Sequence, residues 1–145
     1  MRRIMSGVVG LGVMVIVTLL LGAHGGGAGQ EATASDGWVQ LPAAGETTAT
    51  AFAVVRNPTM YDFYLVSAAS DVAGKVEFRK TGDGEAETVR ELTVPAYGKL
   101  TMGPDGVHLL LVELKRPLQE DESVPLTLTT DGNIKLRVQA VVRKE

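Results

Sequence analysis

No cysteine occurs in these 145 residues. That excludes disulfides, thiolate metal ligands and a thiol nucleophile together, and leaves core packing to supply the stability. Histidine is almost as scarce, with only His24 and His108. Nucleophile–base pairing therefore has little to work with: there is no G-x-S-x-G, and nothing pairs Ser67, Ser70 or Ser123 with His108. An enzyme is not expected. Aromatic residues make up 5% of the chain, and Trp38 has no second aromatic set beside it for stacking on a sugar or base. Positive charge is not in excess either, since 14 Lys and Arg face 17 Asp and Glu for a net charge of −3. Nucleic acid and anionic membrane surfaces both attract basic patches, so this balance argues against either as a partner.

What the chain does contain begins with a leader. Arg2 and Arg3 precede the apolar run Val8–Leu21, which breaks down at Gly22 and Gly25–Gly27. A charged start, a short apolar stretch and small residues beyond form a secretory signal peptide, which would begin as a helix. The run falls short of the roughly 20 residues a spanning helix needs. Ala32-Thr33-Ala34 fits the small-x-small cleavage rule, and Ala23-His24-Gly25 fits it more loosely. No cysteine follows the run, which excludes a lipid-modified cysteine in this sequence. The expectation is an exported, periplasmic or extracellular protein, held at the membrane only if the leader stays uncleaved. Residues 1–34 are read as signal peptide and flexible tether, and 35–145 as one domain of ordinary size. Removing the first 34 residues takes away Arg2, Arg3 and Glu31, which makes the domain slightly more acidic.

From Trp38 onward the chain alternates short runs of Val, Leu, Thr and Tyr with Gly, Pro, Asn and Asp. Strands are expected at Gly37–Leu41, Thr48–Arg56, Asp62–Ala69, Gly74–Lys80, Glu87–Leu92, Lys99–Met102, Val107–Leu114, Ser123–Thr130 and Asn133–Val142. Leu136, Val138 and Ala140 would face one way, and Lys135, Arg137 and Gln139 the other. Asn57-Pro58 ends a strand, because proline cannot donate to the ladder. Gly82-Asp83-Gly84, Pro104-Asp105-Gly106 and Asp131-Gly132 are turn sequences. No stretch beyond the leader has a 3.6-residue period. The pattern predicts an all-β sandwich.

Several fragments stand in one order. Trp38-Val39 opens the domain, and Ala51–Pro58 reads A-F-A-V-V-R-N-P. Leu65–Ser70 and Ala73–Glu77 follow, then Val94-Pro95-Ala96-Tyr97-Gly98, His108, Leu114–Leu118 and Val124–Leu128. Together they resemble the PCu(A)C-type periplasmic copper chaperones over about Trp38 to Val142. The resemblance implies a cupredoxin-like antiparallel β-sandwich of Greek-key type. It also implies Cu(I) as the cargo and a copper-accepting envelope protein as partner, with cytochrome oxidase assembly as the setting.

The family's ligands are a histidine, a methionine and a later H-x-M pair. Two imidazoles and two thioethers suit Cu(I), a soft ion. Carried over by position, the first histidine falls on Arg79 and the last methionine on Leu110, while His108 keeps the second histidine. No methionine lies between Met60 and Met102, where the first thioether belongs. Arginine has no lone pair to give, whereas Leu110 keeps methionine's bulk without its sulfur. The resemblance thus implies a chaperone scaffold with a degenerate metal site, His108 being its one retained ligand; taken by itself, a histidine without partners at a strand start reads as a hydrogen-bonded, partly buried residue. The alternative is a metal-free interaction module outside the cytoplasm.

Other donor sets carry less. One joins His108 with Met102 and Met60, and another uses His24 with a terminal amine freed by cleavage after Ala23. Arg79 with Glu77 and Lys80 reads as a solvated strand face, and Glu120-Asp121-Glu122 as a solvated turn, since it lacks the spaced ligands of a calcium loop.

Overall fold

The computed structural model describes residues 31–144. The leader, its helix, both halves of the Ala23-His24-Gly25 motif and the first part of the tether lie outside the described residues. Ten strands follow: β1 Thr33–Gln40, β2 Ala49–Arg56, β3 Phe63–Ala69, β4 Ala73–Thr81, β5 Ala86–Val89, β6 Leu92–Val94, β7 Lys99–Thr101, β8 Val107–Leu114, β9 Ser123–Thr130 and β10 Lys135–Arg143. No helix occurs among the described residues.

The strands hydrogen-bond in the order β5-β4-β8-β2-β1-β10-β9-β3-β6, with β7 also on β2. One layer carries β5, β4, β8 and β2, the other β10, β9, β3 and β6, and β1 bridges them. The result is a nearly closed, barrel-like sandwich, cupredoxin-like as expected. Chain-adjacent strands such as β2 and β3, or β8 and β9, fall in opposite layers, the Greek-key habit. Every pairing is antiparallel except β1 with β10, where Trp38 to Gln40 run alongside Val141 to Arg143.

The core follows the two-residue period. Along β10, Leu136, Val138, Ala140 and Val142 are buried and the intervening residues exposed; along β9, Val124, Leu126 and Leu128 are buried and the residues between them half-buried. They meet Leu65, Val94, Leu109, Leu111, Val39, Ala51 and Val55, all essentially fully buried. Each fully buried Val or Leu contributes about 1.5–3 kcal/mol, which is how the fold stands without disulfides.

Two expectations are corrected. Thr33 and Ala34, read as tether, belong to β1 together with Ser35 and Asp36: Thr33, Ala34 and Ser35 pair with Arg56, Val55 and Val54. The folded unit therefore starts at Thr33 rather than Ser35, and the Ala32-Thr33-Ala34 motif overlaps its first strand. Small polar side chains hide this strand in the sequence, but its backbone completes the ladder of β2. A bulge at Asp36 (φ 53°) and Gly37 then turns the strand onto β10. A side chain at Gly37 would stand 3.0 Å from Val138 Cγ2 and 3.2 Å from Ala140 Cα. Gly37→Ala is expected to cost about 1–3 kcal/mol through this crowding, measurable by denaturant unfolding.

The second correction concerns Glu87–Leu92, which reads as one strand but is two. Val89 still pairs with Phe78 on β4, whereas Leu92 pairs with Leu65 on β3. Arg90 and Glu91 are consecutive exposed residues, which breaks the alternation and marks where the chain crosses between layers.

Candidate functional site

The outer face of the antiparallel β4–β8 ladder carries the residues singled out above. Leu109 and Leu111 turn into the core, so His108 and Leu110 share the opposite face of β8. Across the ladder Arg79 pairs with His108, Glu77 with Leu110, and Lys75 with Val112. Arg79, His108 and Leu110 are thus brought together by two adjacent strands. Directly opposed residues hold their Cβ atoms about 4.5–5.5 Å apart.

His108 is only 8% exposed. Its Nδ1 lies 3.2 Å from the Gly106 carbonyl oxygen. A carbonyl only accepts, so Nδ1 is the donor in this contact. On the other side of β8, Ala51 pairs with Leu109. The next residue of β2, Phe52, brings its ring centroid within 6.2 Å of the imidazole. Phe52 in turn stacks on Trp38 at 4.5 Å, and the Arg143 guanidinium sits 5.5 Å above the Trp38 ring. The imidazole is therefore one member of a row across four strands, β8, β2, β1 and β10, and a packed, hydrogen-bonded side chain.

Its other neighbour is a charge ladder. Lys75, Glu77 and Arg79 alternate along β4, with Glu77 held by Lys75 at 3.1 Å and by Arg79 at 3.2 Å. Arg79 also donates through Nη1 to the Ala86 carbonyl at 3.5 Å, while its buried Nε has no hydrogen-bond partner. The hydrogen bond from Lys75 is the largest influence on the Glu77 carboxyl, and with the charges of Lys75 and Arg79 it holds that carboxyl below its ordinary range against the opposing effect of burial, which is second in size. A lowered folded value means the stabilisation is present above the ordinary carboxylate range. It is lost as pH falls through the lowered value. An NMR titration of the Glu77 carboxyl is expected to rise in midpoint more for Lys75→Ala than for Arg79→Ala.

Beside His108, the residues at these positions bring no second soft donor. Arg79 offers no donor and puts a fixed positive charge beside the one imidazole. A second unit charge about 6 Å away would meet roughly 3 kcal/mol of repulsion at an effective dielectric near 20. Leu110 offers no sulfur. Glu77 offers hard carboxylate oxygens already committed to two cations. Among the described residues no group of three or more His, Cys, Asp or Glu converges as a metal site. The alternative methionines do not repair this. Met102 is buried with its amide on the Ala53 carbonyl, and Met60 is 61% exposed beyond Asn57. Asn57, just beyond β2, stands five steps along the chain from Phe52, roughly 16 Å at strand rise. Glu122 of the acidic turn is tied to Arg116 at 2.8 Å and caps the Gln119 amide. The Gln119 hydrogen bond and Arg116 lower its carboxyl as well.

The Lys75–Glu77–Arg79 ladder was readable from its two-residue spacing. The Trp38–Phe52–His108 row was not, because it needs the register of three separate strands.

Comparison with known proteins agrees with this frame. The model of the family described as "Putative lipoprotein LpqE-like" matches residues 32–142. A "Putative lipoprotein Lxx21020" from Leifsonia xyli subsp. xyli (strain CTCB07) is 31% identical over 105 residues, covering 68% of this chain. The chain spans 62% of that relative's length. Among solved structures, the copper-bound PCuAC domain from PmoF2 superposes with a TM-score of 0.69 at 21% identity, over 79% of this chain and 93% of that one. The solution structure of CuI-DR1885 from Deinococcus radiodurans gives 0.64 at 30% identity, over 79% and 77%.

Proposed function

The chain belongs to the LpqE-like family, and from that premise we propose that it is an exported protein of copper homeostasis on a PCuAC-type scaffold whose standard Cu(I) site is largely lost. It acts outside the cytoplasm by protein contact, as a metal-free sandwich facing a copper-handling envelope partner. It is not an enzyme, and it does not carry Cu(I) alone. The kinship with lipoproteins and the Arg2–Leu21 leader support export. Likeness to copper-bound domains supports the copper setting.

The observation that carries the reading is the pairing of Arg79 with His108. At the position where the resemblance places a donor, an ion-paired guanidinium stands instead. His108 is the only family ligand retained, and a single imidazole gives no chelate with which to exclude water or competing donors.

Anaerobic titration of the protein with Cu(I) against a competing chelator tests this. The expected result is binding no tighter than micromolar, unchanged in His108→Ala. Stoichiometric, tighter binding that His108→Ala abolishes would return the protein to the carrier class. Cell fractionation tests export separately, with the protein expected outside the cytoplasm.

A further inference from the structure

Three turns meet at the end of the sandwich where the chain enters. They join β2 to β3, β6 to β7, and β9 to β10. The Tyr97 amide donates to the Thr59 carbonyl, the Ala96 amide to the Asp62 carboxylate, and Asp131 and Tyr64 bond each other through their amides. This end is therefore one braced surface. It carries the four most exposed large apolar side chains among the described residues: Tyr61 and Tyr97 at 73%, Met60 at 61% and Ile134 at 59%. Turn tips ordinarily hold Gly, Asn, Asp or Ser. Tyr97 instead occupies a left-handed backbone conformation at φ 55°, which disfavours an aromatic residue. Folding does not require these rings to stand in water.

We propose that this end docks on the surface of a lipid bilayer, with the two tyrosines, Met60 and Ile134 entering the interfacial region. Tyrosine suits that depth, its ring apolar and its hydroxyl wet. The choice of occupant comes from the chain outside the described residues. Glu31 and Ala32, where it joins the fold, line the same groove of about 700 Å³ as Tyr61 and Ile134. Nine residues, Gly22 to Gln30, separate that point from the apolar run Val8–Leu21. At full extension they reach roughly 30 Å, so a membrane-held leader keeps this end, and not the opposite one, against the bilayer. Charges at the rim balance: Arg56, Lys99 and Lys135 against Glu31, Asp62 and Asp131. Apolar insertion rather than anionic attraction drives the contact, so zwitterionic lipid suffices. The inference needs the membrane but not the copper reading.

The absence of cysteine makes the test clean. Tyr97→Cys and Ile134→Cys carry an environment-sensitive fluorophore at the apolar end, and Glu46→Cys carries it in the β1–β2 turn at the other end. The full chain is mixed with phosphatidylcholine vesicles containing brominated acyl chains. Roughly two-fold or greater quenching is expected at 97 and 134, since interfacial side chains sit about 5–10 Å into the headgroup boundary. None is expected at 46. In an Ile134→Cys chain also bearing Met60→Ser, Tyr61→Ser and Tyr97→Gly, the quenching should fall away while the protein still floats with the vesicles. Absent quenching at the apolar end, equal quenching at both ends, or a lipid-free signal that grows with protein concentration would overturn the proposal, the last by assigning the surface to a second copy. Vesicles are supplied directly and no copper is present, so this outcome is separable from the Cu(I) titration.

Discussion

Arg79→His combined with Leu110→Met is expected to raise the chain's affinity for Cu(I) at least ~100-fold, or about 2.8 kcal/mol. The strand register makes this a specific expectation. A histidine at 79 would stand directly across the ladder from His108, and a methionine at 110 two residues along the same face. Two imidazoles and one thioether would then converge on one ion, a donor set that Cu(I) favours. The change also removes the fixed charge beside the site and releases Glu77 from one of its two cations. Leucine and methionine are close in volume, so the second substitution should cost less than 1.5 kcal/mol in packing. Competition titration of the double variant, with circular dichroism to confirm the fold, checks it. No gain in a folded variant would mean that 79 and 110 were wrongly matched to ligand positions.

The largest expected loss of stability comes from Asn57→Ala. Asn57 is 1% exposed. Its amide donates to the Tyr61 carbonyl at 2.8 Å and the Val94 carbonyl at 3.2 Å, and its side-chain oxygen accepts from the Thr59 amide at 2.9 Å and hydroxyl at 2.6 Å. Its backbone amide donates to Gly98. One side chain thus ties the β2–β3 turn to the end of β6. Alanine would leave the buried Val94 carbonyl and the Thr59 donors without these partners. Unmet buried groups cost about 1–3 kcal/mol each, and relaxation and water recover part of that, so a net loss of roughly 2–4 kcal/mol is expected. For a domain of this size the melting temperature should fall by roughly 10–15 °C. Thermal unfolding measures it, and a fall of only a degree or two would show that the turn holds itself without Asn57.

Much of the fold was legible because burial in a sandwich writes a two-residue period into the chain. Leu136, Val138 and Ala140 announced the inner face of β10, and Asp131-Gly132 announced the hairpin leading to it. What stayed hidden depended on partners far away in sequence. The first half of β1 is Thr-Ala-Ser-Asp, which has a loop's composition and becomes a strand only because β2 offers it a ladder. The break between β5 and β6 lies in a run that reads as continuous, and only the different partners of Val89 and Leu92 separate its halves.

The candidate site divides in the same way. Arg79, His108 and Leu110 could be named from aligned fragments, and the ion pairs of Glu77 follow from alternation on β4. A lone histidine at a strand start also reads as hydrogen-bonded and partly buried, but its partners, Phe52 and the Gly106 carbonyl, could not be named, because both depend on how β2 and the Gly103–Gly106 turn pack around β8.

The most direct measurement is nitrogen-15 NMR of the His108 ring in the native protein, before and after one equivalent of Cu(I) under anaerobic conditions. An imidazole kept for packing beside a guanidinium should retain its two ring-nitrogen shifts, with Nδ1 protonated and Nε2 unchanged. A large stoichiometric displacement of the Nε2 resonance would show a working copper ligand and contradict the account.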